Sequence, residues 1–274
     1  MNLRYPFILI LFLFILLLVS CSDSDRVQNG LGKTRLPDGS VYEGEFRDGL
    51  FNGRGMLRSR NGTIYEGEFR DGLFNGKGKI TFSDGSIFDG EFKDGLEHGK
   101  GKYVCKSQKY IFDGNYVEGR IEGSGIMKFE SGDRYEGYFK DGKYDGQGTF
   151  VYSHGDKYVG SFRDGKFNGE GTYIYKNRTK VKAEFKDGKF HGKGAAVYNN
   201  GDQYIGDFRY GARHGKGIYT FSNRDRYEGQ FQDNQFHGEG KFFFSDSGKI
   251  IEGKWRNGKY IDDTTMYIPS PLTI

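Results

Sequence analysis

An alternation of aromatic, glycine and charged residues recurs along almost the whole chain. It is clearest in YEGEFRDGLFNGKGKITFSDGSI, residues 65–87. In YEGEF the first, third and fifth residues would share one face of a strand, and Ile80 and Phe82 of GKITF would join that face if the two pieces pair as a hairpin. Glu66 and Lys79 would then form an opposite-charge pair on the other face. The pattern predicts two strands per repeat, with the turn segment RDGLFNG between them and SDGS after them.

This repeat occurs ten times at a spacing of 23 residues, twice 24. The repeats begin at Tyr42, Tyr65, Phe88, Phe112, Tyr135, Tyr158, Val181, Tyr204, Tyr227 and Ile251. Their fifth residue is always aromatic: Phe46, Phe69, Phe92, Tyr116, Phe139, Phe162, Phe185, Phe208, Phe231 and Trp255. With half-repeats at both ends, the pattern covers roughly residues 30–260. It predicts an all-β fold, an elongated single array of antiparallel β-hairpin repeats.

Glycine has two roles in this pattern. Gly67 stands between Tyr65 and Phe69, where a side chain would collide with the rings but glycine lets a ring lie flat over the backbone. The recurring Asp-Gly pairs supply turns in which glycine has a positive φ. Asn234 takes that glycine place in the ninth repeat, and asparagine tolerates the same region. A chain with 45 Gly, 25 Phe and 20 Tyr but no collagen period therefore favours a turn-rich β protein over a collagen or a disordered tail.

The first residues differ from all that follow. After Arg4, the apolar run from Phe7 to Val19 falls short of the roughly 20 residues that span a bilayer as a helix, and it is typical of a secretory signal peptide. The run ends in Leu-Val-Ser-Cys at Cys21, which resembles the lipobox of bacterial lipoproteins. The resemblance implies that residues 1–20 are a cleaved signal peptide and that Cys21 carries a lipid anchor such as palmitate. An uncleaved anchor with an incidental cysteine is the alternative.

The same resemblance places the mature chain at a cell membrane. Ser22 stands where Asp is associated with retention in the inner membrane, so the outer membrane is favoured if the cell is Gram-negative. Residues 21–29 would form a short polar tether. With Cys21 lipidated, Cys105 is the one cysteine left, which excludes an internal disulfide. Its place in the pattern faces inward, so we expect a buried, inert thiol.

The consensus Y-x-G-x-F-x-x-G-x-x-x-G-x-G resembles the MORN repeat (membrane occupation and recognition nexus). The match covers nearly the whole mature chain. It implies a twisted, mainly antiparallel sheet with one hairpin in each repeat of about 23 residues. Two repeats depart from the pattern: Val181 and Ala183 replace an aromatic and a glycine in the seventh, and Arg213 replaces a Phe in the eighth.

Candidate chemistry is weak throughout the chain. His98, His191, His214 and His237 occupy one place in their repeats, but two strands per repeat would set successive copies about 9–10 Å apart. That is too far to share a metal ion bound at about 2 Å, so we interpret them as turn residues. The motifs G-x-x-x-x-G-K-[ST] and G-x-S-x-G do not occur. The sequence predicts no catalytic residues, no metal, no cofactor and no enzyme activity.

The charge of the chain indicates no particular class of partner, because the net charge is only +4 at pH 7. Basic residues precede the turn aspartates, as in Arg47-Asp48 and Arg70-Asp71. Such charges largely neutralise one another within the Debye length of ~8 Å. We interpret this ladder as a solvated face and expect no nucleic-acid partner.

These features favour a non-enzymatic, membrane-anchored scaffold or protein-binding module of the bacterial cell envelope. Its partner would be an envelope protein or a membrane surface, and the candidate binding face would be an exposed strip containing Tyr135, Phe139, Tyr158 and Phe162. A phospholipid- or glycan-binding MORN array is the alternative. The resemblance also allows a homodimer. Residues 261–274 contain two prolines, do not repeat and are interpreted as a C-terminal tail.

Overall fold

The computed structural model describes residues 27–261, together with 268 and 271. Every regular element in this part of the chain is a β-strand, which confirms the predicted all-β fold. The chain divides into two compact units, one ending at Lys143 and the other beginning at Tyr144.

The strands of the first unit pair antiparallel with their neighbours in the chain. They are β1 (Gly30–Arg35), β2 (Val41–Arg47), β3 (Leu50–Arg58), β4 (Ile64–Arg70), β5 (Leu73–Thr81), β6 (Ile87–Lys93), β7 (Leu96–Cys105), β8 (Tyr110–Val117), β9 (Arg120–Phe129) and β10 (Arg134–Lys140). Each repeat thus begins with a strand and folds back on the next one, as the predicted hairpin requires.

The strands of the second unit follow the same rule. They are β11 (Lys143–Val151), β12 (Lys157–Arg163), β13 (Lys166–Ile174), β14 (Lys180–Lys186), β15 (Lys189–Val197), β16 (Gln203–Arg209), β17 (Ala212–Thr220), β18 (Arg226–Gln232), β19 (Gln235–Phe243), β20 (Ile250–Arg256) and β21 (Lys259–Tyr260). The last strand has only two residues, so the final hairpin is incomplete.

The hairpin of β4 and β5 shows the register of the repeat. Tyr65 lies opposite Ile80 on the aromatic face. Glu66 lies opposite Lys79 on the other face. Both pairs agree with the predicted alternation, because residues directly opposite in an antiparallel pair point to the same side of the sheet.

The turn within this hairpin is shorter than predicted. Instead of the whole segment RDGLFNG, only Asp71 and Gly72 form it, with φ angles of 50° and 82°. Two residues with positive φ make the tight turn that matches the twist of paired strands. The extra length is taken up in a bulge: the register shifts between Gly67 and Phe69, and Gly76 opposite them has a φ of 72°. The predicted turn segment was therefore wrong in extent.

A carboxylate from the opposite strand fills this bulge in several repeats. The Glu45 carboxylate accepts a hydrogen bond from the Arg54 N–H at 2.9 Å. The Asp207 carboxylate accepts one from the Lys216 N–H at 3.1 Å. A bulge leaves such backbone donors without a partner in the ladder, so the fourth residue of the repeat satisfies them.

The core of each repeat is a row of rings on one face of the sheet. Tyr65 stacks on Phe74 with ring centroids 3.7 Å apart and planes 9° apart. Phe69 meets Tyr65 edge-on at 5.0 Å. The Tyr65 hydroxyl donates to the Glu68 carbonyl at 2.8 Å. A Cβ on Gly67 would lie 2.6 Å from that hydroxyl oxygen, so the flat ring requires the glycine, as predicted.

The seventh repeat replaces the ring and the glycine together. Val181 and Ala183 are 0% and 5% exposed. A Cβ on Gly194, in the paired strand, would lie 2.6 Å from the Ala183 Cβ. The methyl group of Ala183 thus occupies space that the tyrosine ring takes in other repeats, and the two departures from the consensus compensate each other.

Hydrogen bonds at both edges of the sheet join one repeat to the next. At one edge, the Gly72 N–H donates to the Phe51 carbonyl at 2.9 Å. At the other, the Ser222 N–H donates to Asp202 Oδ1 at 2.8 Å. Asn234, in the glycine place of the ninth repeat, has a φ of 71°, which confirms the predicted exchange of Asn for Gly. These contacts fix the turns relative to the strands beside them.

Candidate functional site

The residues predicted to carry function are either outside the described part or buried. Cys21 and the signal peptide before it lie outside the described residues. Tyr135 and Tyr158 are 0% exposed, and Phe139 and Phe162 are 3% and 4% exposed. The expectation that these four rings form an exposed strip is therefore corrected, because they belong to the core.

Stacking explains the burial of these rings. Tyr158 lies over the backbone, so that a Cβ on Gly171 would be 2.6 Å from the ring carbon Cζ. Phe167 stacks on Tyr158 at 3.8 Å between centroids. A ring held between backbone and a second ring has no face left for a partner. Whether this part of the sheet binds one stays a prediction, and the contact would have to come from other rings.

A set of half-buried rings lies beside these core residues, within the second unit. It occupies three aligned positions in the fifth and sixth repeats. We call it the aromatic patch: Tyr144, Phe150, Tyr152, Phe167, Tyr173 and Tyr175. At most of the aligned positions in other repeats the side chain is buried, as it is for Phe74, Ile80 and Tyr198. Only in these two repeats, among the described residues, are all three positions occupied by half-buried rings.

The rings of the patch form a continuous surface. The centroids of Phe150 and Tyr152 are 4.6 Å apart, and those of Tyr173 and Tyr175 are 4.7 Å apart. Tyr152 and Tyr173 connect the two repeats at 6.3 Å. Phe167 continues the surface at 6.3 Å from Tyr173. Aromatic side chains in such contact present a large, rigid area that loses little conformational freedom on binding.

One carboxylate lies at the end of the patch. Asp156 accepts hydrogen bonds from the Tyr173 hydroxyl at 2.8 Å and from the Lys176 N–H at 2.9 Å, and His154 Nε2 lies 3.2 Å away. Burial raises the pKa of Asp156, but these hydrogen bonds outweigh it and keep the pKa below its usual value. Burial, and then the nearby Asp156 charge, raise the pKa of Tyr175 to about 12. At neutral pH the carboxylate is ionised and the phenol is neutral.

A row of exposed basic side chains follows the same edge of the sheet. We call it the basic edge: Lys157, Lys176, Arg178 and Lys180. No ion pair involves any of these four among the residues that the structure describes. Lys176 directly follows Tyr175, and Asp156 in the neighbouring turn is already held by hydrogen-bond donors. Lys176 and Arg178, in the turn that follows the patch, thus place positive charge without a counter-charge beside it, whereas Lys157 and Lys180 lie opposite Ile174 on the other face of the sheet.

Some charges on the opposite edge are paired, in partial agreement with the interpretation as a self-neutralised ladder, although Arg163, Lys186 and Arg209 of that edge take part in no ion pair among the described residues. Arg47 lies 3.4 Å from Asp71, and Arg70 lies 3.1 Å from Asp94. Each base pairs with the turn aspartate of the following repeat instead of the one beside it in the chain. These pairs are exposed, and such pairs contribute only about 0–1 kcal/mol each. The basic edge has no such partner row.

A buried cation interrupts the row of rings in the eighth repeat. Arg213, which replaces a Phe, is 0% exposed. Its guanidinium lies 4.9 Å from the centroid of Tyr219. It donates to the Tyr198 hydroxyl at 2.7 Å and to the Asn234 carbonyl at 2.9 Å. Cation–π contact and hydrogen bonds offset part of the cost of burying the charge. The cluster is enclosed and contributes to packing.

The remaining candidates offer little chemistry. Cys105 is 6% exposed, with its sulfur 3.5 Å from Ser107 Oγ, as expected for a buried thiol. In the part of the chain that the structure describes, no group of His, Cys, Asp and Glu is arranged to hold a metal ion. Nor does that part contain a helix long and apolar enough to cross a membrane.

Shallow grooves cross the face opposite the rings. One of them, in the second unit, has a volume of about 530 Å³ and is lined by Ile205, Ile218, Lys241 and Glu252 among others. Lys241 and Glu252 already pair at 3.0 Å. The groove is open and its charges are of both signs, so it favours no particular ligand.

The comparison with protein families identifies the repeat. The MORN repeat model matches residues 42–64, 65–87, 88–109, 112–134, 135–157, 158–180, 182–203, 204–226 and 227–249. The chain belongs to the MORN-repeat family. MORN repeats are commonly protein- or membrane-binding modules, and an array of them indicates a non-enzymatic binding or scaffold role. No curated protein sequence matches the chain.

Solved structures show only a weak likeness to this MORN chain. The TCP domain of SAS-4 (dCPAP) of Drosophila melanogaster, in complex with a proline-rich motif of Ana2 (dSTIL), is 12% identical with a TM-score of 0.27, covering 76% of this chain and 91% of that chain. A catalytically inactive virginiamycin B lyase of Staphylococcus aureus with quinupristin is 12% identical with a TM-score of 0.17, covering 84% and 85%. A streptogramin B lyase is 15% identical with a TM-score of 0.16, covering 84% and 70%. Scores this low carry no argument about function.

Proposed function

We propose that this MORN protein is a non-enzymatic scaffold that binds a protein partner through the aromatic patch, while a lipid on Cys21 anchors it to a membrane of the bacterial cell envelope. The half-buried rings of the patch support the binding role, because aromatic side chains are enriched where proteins meet. The lipobox-like sequence before Cys21 supports the anchor. In a Gram-negative cell the outer membrane is the favoured location.

One observation carries the binding role: the rings at three aligned positions are only half-buried in two successive repeats. The fold itself does not need large rings there. Ala196 stands in the seventh repeat where the sixth has Tyr173, and Ile80 stands there in the second. A contiguous apolar patch that stays partly exposed is typical of an interaction site.

A photoreactive amino acid at position 175 tests the binding role. We expect p-benzoylphenylalanine in place of Tyr175 to crosslink, in living cells, to one defined envelope protein. Phe82 is the matched control, because it holds the aligned place in the second repeat and is also half-buried, but Phe74 and Ile80 beside it are buried. Equal crosslinking at both positions, or none at position 175, would contradict the proposal.

Cell fractionation of Cys21→Ala tests the anchor. Wild type should sediment with membranes and take up an alkyne-labelled palmitate, and the variant should do neither. Ser22→Ala is the matched control and should behave as wild type. If the wild type and the variant both keep the signal segment and both stay in the membrane, the result supports the uncleaved anchor and overturns lipidation.

A phospholipid surface is the second candidate partner, and the basic edge favours it. Flotation of the non-acylated Cys21→Ala protein with phosphatidylglycerol vesicles, at low and moderate salt, separates the two candidates. Flotation that Lys176→Glu abolishes would shift the function to lipid binding. Absence of flotation, together with crosslinking at position 175, supports the protein partner.

A further inference from the structure

We infer that the aromatic patch and the basic edge together accept an extended acidic segment of a partner protein, with its apolar side chains on the rings. The inference rests on the proposed protein-binding function and names the chemistry of the partner. Charge, ring spacing and ring depth support it independently.

The charge around the patch is locally positive. Residues 153–182 contain seven Lys and Arg but only three Asp and Glu, whereas the whole chain has 41 against 37. The basic side chains Lys176 and Arg178 are exposed in the turn next to the patch and take part in no ion pair within the described residues. An acidic partner would supply the missing counter-charges, which raises the association rate and orients the segment.

The one carboxylate at this end of the patch does not change the sign of the site. Asp156 is held by the Tyr173 hydroxyl and the Lys176 N–H, with His154 beside it. Its carboxylate oxygens are therefore already occupied by these hydrogen-bond donors. Tyr173 and Lys176 are in turn fixed in position by Asp156, so the carboxylate orders the patch and the basic edge relative to each other.

The spacing of the rings suits an extended segment. Side chains on one face of a strand recur about every 6.6 Å, twice the rise per residue. The centroids of Tyr152 and Tyr173 are 6.3 Å apart, and those of Phe167 and Tyr173 are also 6.3 Å apart. Alternate apolar side chains of an extended segment would thus meet successive rings, and acidic residues where the segment passes the turn would reach Lys176 and Arg178.

The depth of the rings favours a segment over a lipid surface. Phe150, Tyr173 and Tyr175 are half-buried on the face of the sheet, and each ring contacts a neighbouring ring instead of standing alone as an interfacial anchor would. A flat bilayer surface reaches protruding side chains first. A single extended segment can lie along the face and contact the rings where they are.

Selection from a random peptide library displayed on phage, against the full chain in mild detergent, tests the inference. We expect the enriched peptides to combine Asp or Glu with alternating Leu, Phe or Tyr. For the synthetic consensus peptide, the double variant Lys176→Glu/Arg178→Glu should weaken binding by about tenfold or more, because it replaces attraction with repulsion. The matched control is Lys106→Glu/Arg224→Glu, the same changes at the aligned turn positions of the third and eighth repeats, and it should leave binding unchanged.

A second pair of variants tests the rings. Tyr175→Ala should weaken the same peptide, whereas Phe82→Ala, at the aligned position of the second repeat, should not. Circular dichroism of each variant verifies that the fold is retained. An equal loss in the control variants would show that the peptide binds elsewhere and would overturn the inference.

Other outcomes separate this inference from the proposed function. Enrichment of basic or uncharged peptides, self-association of the chain through the patch, or binding to phosphatidylglycerol vesicles alone overturns the acidic segment. If position 175 still crosslinks to an envelope protein in those cases, protein binding stands and only the partner chemistry fails. With neither crosslinking nor peptide enrichment, both fail.

Discussion

The ring of Tyr65 lies directly against the backbone of Gly78, and a Cβ added to Gly78 would sit 2.6 Å from the ring carbon Cε2. The same relationship recurs between Tyr158 and Gly171. Ring and glycine are therefore a single packing unit, since neither can change without the other. This explains why the glycine pattern persists along strands, where glycine otherwise reduces stability.

Gly67→Ala should destabilise the second repeat. The added Cβ would lie 2.5 Å from Gly78 Cα and 2.6 Å from the Tyr65 hydroxyl oxygen, and overpacking of this kind costs about 1–3 kcal/mol. Adding Tyr65→Val reproduces the combination of Val181 and Ala183 in the seventh repeat and should recover part of the loss. Urea unfolding of the wild type, the two single variants and the double variant gives the coupling free energy.

Tyr65→Phe is the matched control for this pair. It removes only the hydrogen bond to the Glu68 carbonyl, worth about 0.5–1.5 kcal/mol. Phe88 and Phe112 hold the same place in other repeats, so the ring itself remains acceptable there. Additive effects of Gly67→Ala and Tyr65→Val would refute the steric account.

The strands could be predicted from the sequence because alternation and period report directly on which side chains share a face. The bulge could not. RDGLFNG is compatible with a long loop or with a two-residue turn followed by a bulged strand. A cross-strand contact decides between them: Glu68 accepts a hydrogen bond from the Lys77 N–H at 3.3 Å, and Gly76 adopts a positive φ. Such a contact exists only after the strands have paired.

The location of the aromatic patch could not be predicted from the sequence pattern either. Tyr219 and Phe221 form the same aromatic pair as Tyr173 and Tyr175, yet they are 0% and 9% exposed. The pattern tells which face a ring occupies, but its exposure depends on neighbouring side chains. In the eighth repeat, the Arg213 guanidinium lies over Tyr219 and covers it. The predicted face lay in the same repeats as the patch but on the wrong strands.

Arg213→Ala should lower stability by about 2–4 kcal/mol, because it leaves a cavity in the core and removes the donors to Tyr198 and Asn234. Arg213→Phe should cost much less, since a ring there can stack on Tyr204 as Phe74 does on Tyr65. Thermal unfolding of both variants measures the difference. If Phe is as damaging as Ala, the hydrogen bonds of the guanidinium outweigh its packing.

Asp225→Asn should destabilise the protein near neutral pH. Burial raises the pKa of Asp225, but hydrogen bonds from the Ser245 N–H and hydroxyl and from Asn223 outweigh it and lower the pKa below 3.8. The stability contributed by this lowered pKa is present above the unfolded-state pKa and is lost as the pH falls through the folded-state value. Urea unfolding at neutral pH and in acid should therefore show a gap from wild type that narrows in acid. Asp246→Asn, exposed in the next turn, is the control and should change the free energy of unfolding little.

Glu97 should give the free energy of unfolding a pH dependence opposite to that given by Asp225. It stands opposite Phe92, where most repeats place a ring that stacks on the tyrosine. Burial raises the pKa of its carboxyl above 4.5, against the lowering effect of a hydrogen bond from its own backbone. The folded state therefore holds the proton more tightly than the unfolded state. This contribution to stability is fully present below the unfolded-state pKa and is lost as the pH rises through the folded-state pKa.

Glu97→Gln should therefore be more stable than wild type at neutral pH, because an amide avoids burying a charge, and the advantage should shrink as the solution is acidified toward pH 4.5. Glu97→Phe should give a larger gain by restoring the ring contact of the other repeats. Asp89→Asn, an exposed acid on the opposite face of the same hairpin, is the control and should change little. A Glu97→Gln advantage that is independent of pH would show that packing, not ionisation, governs this position.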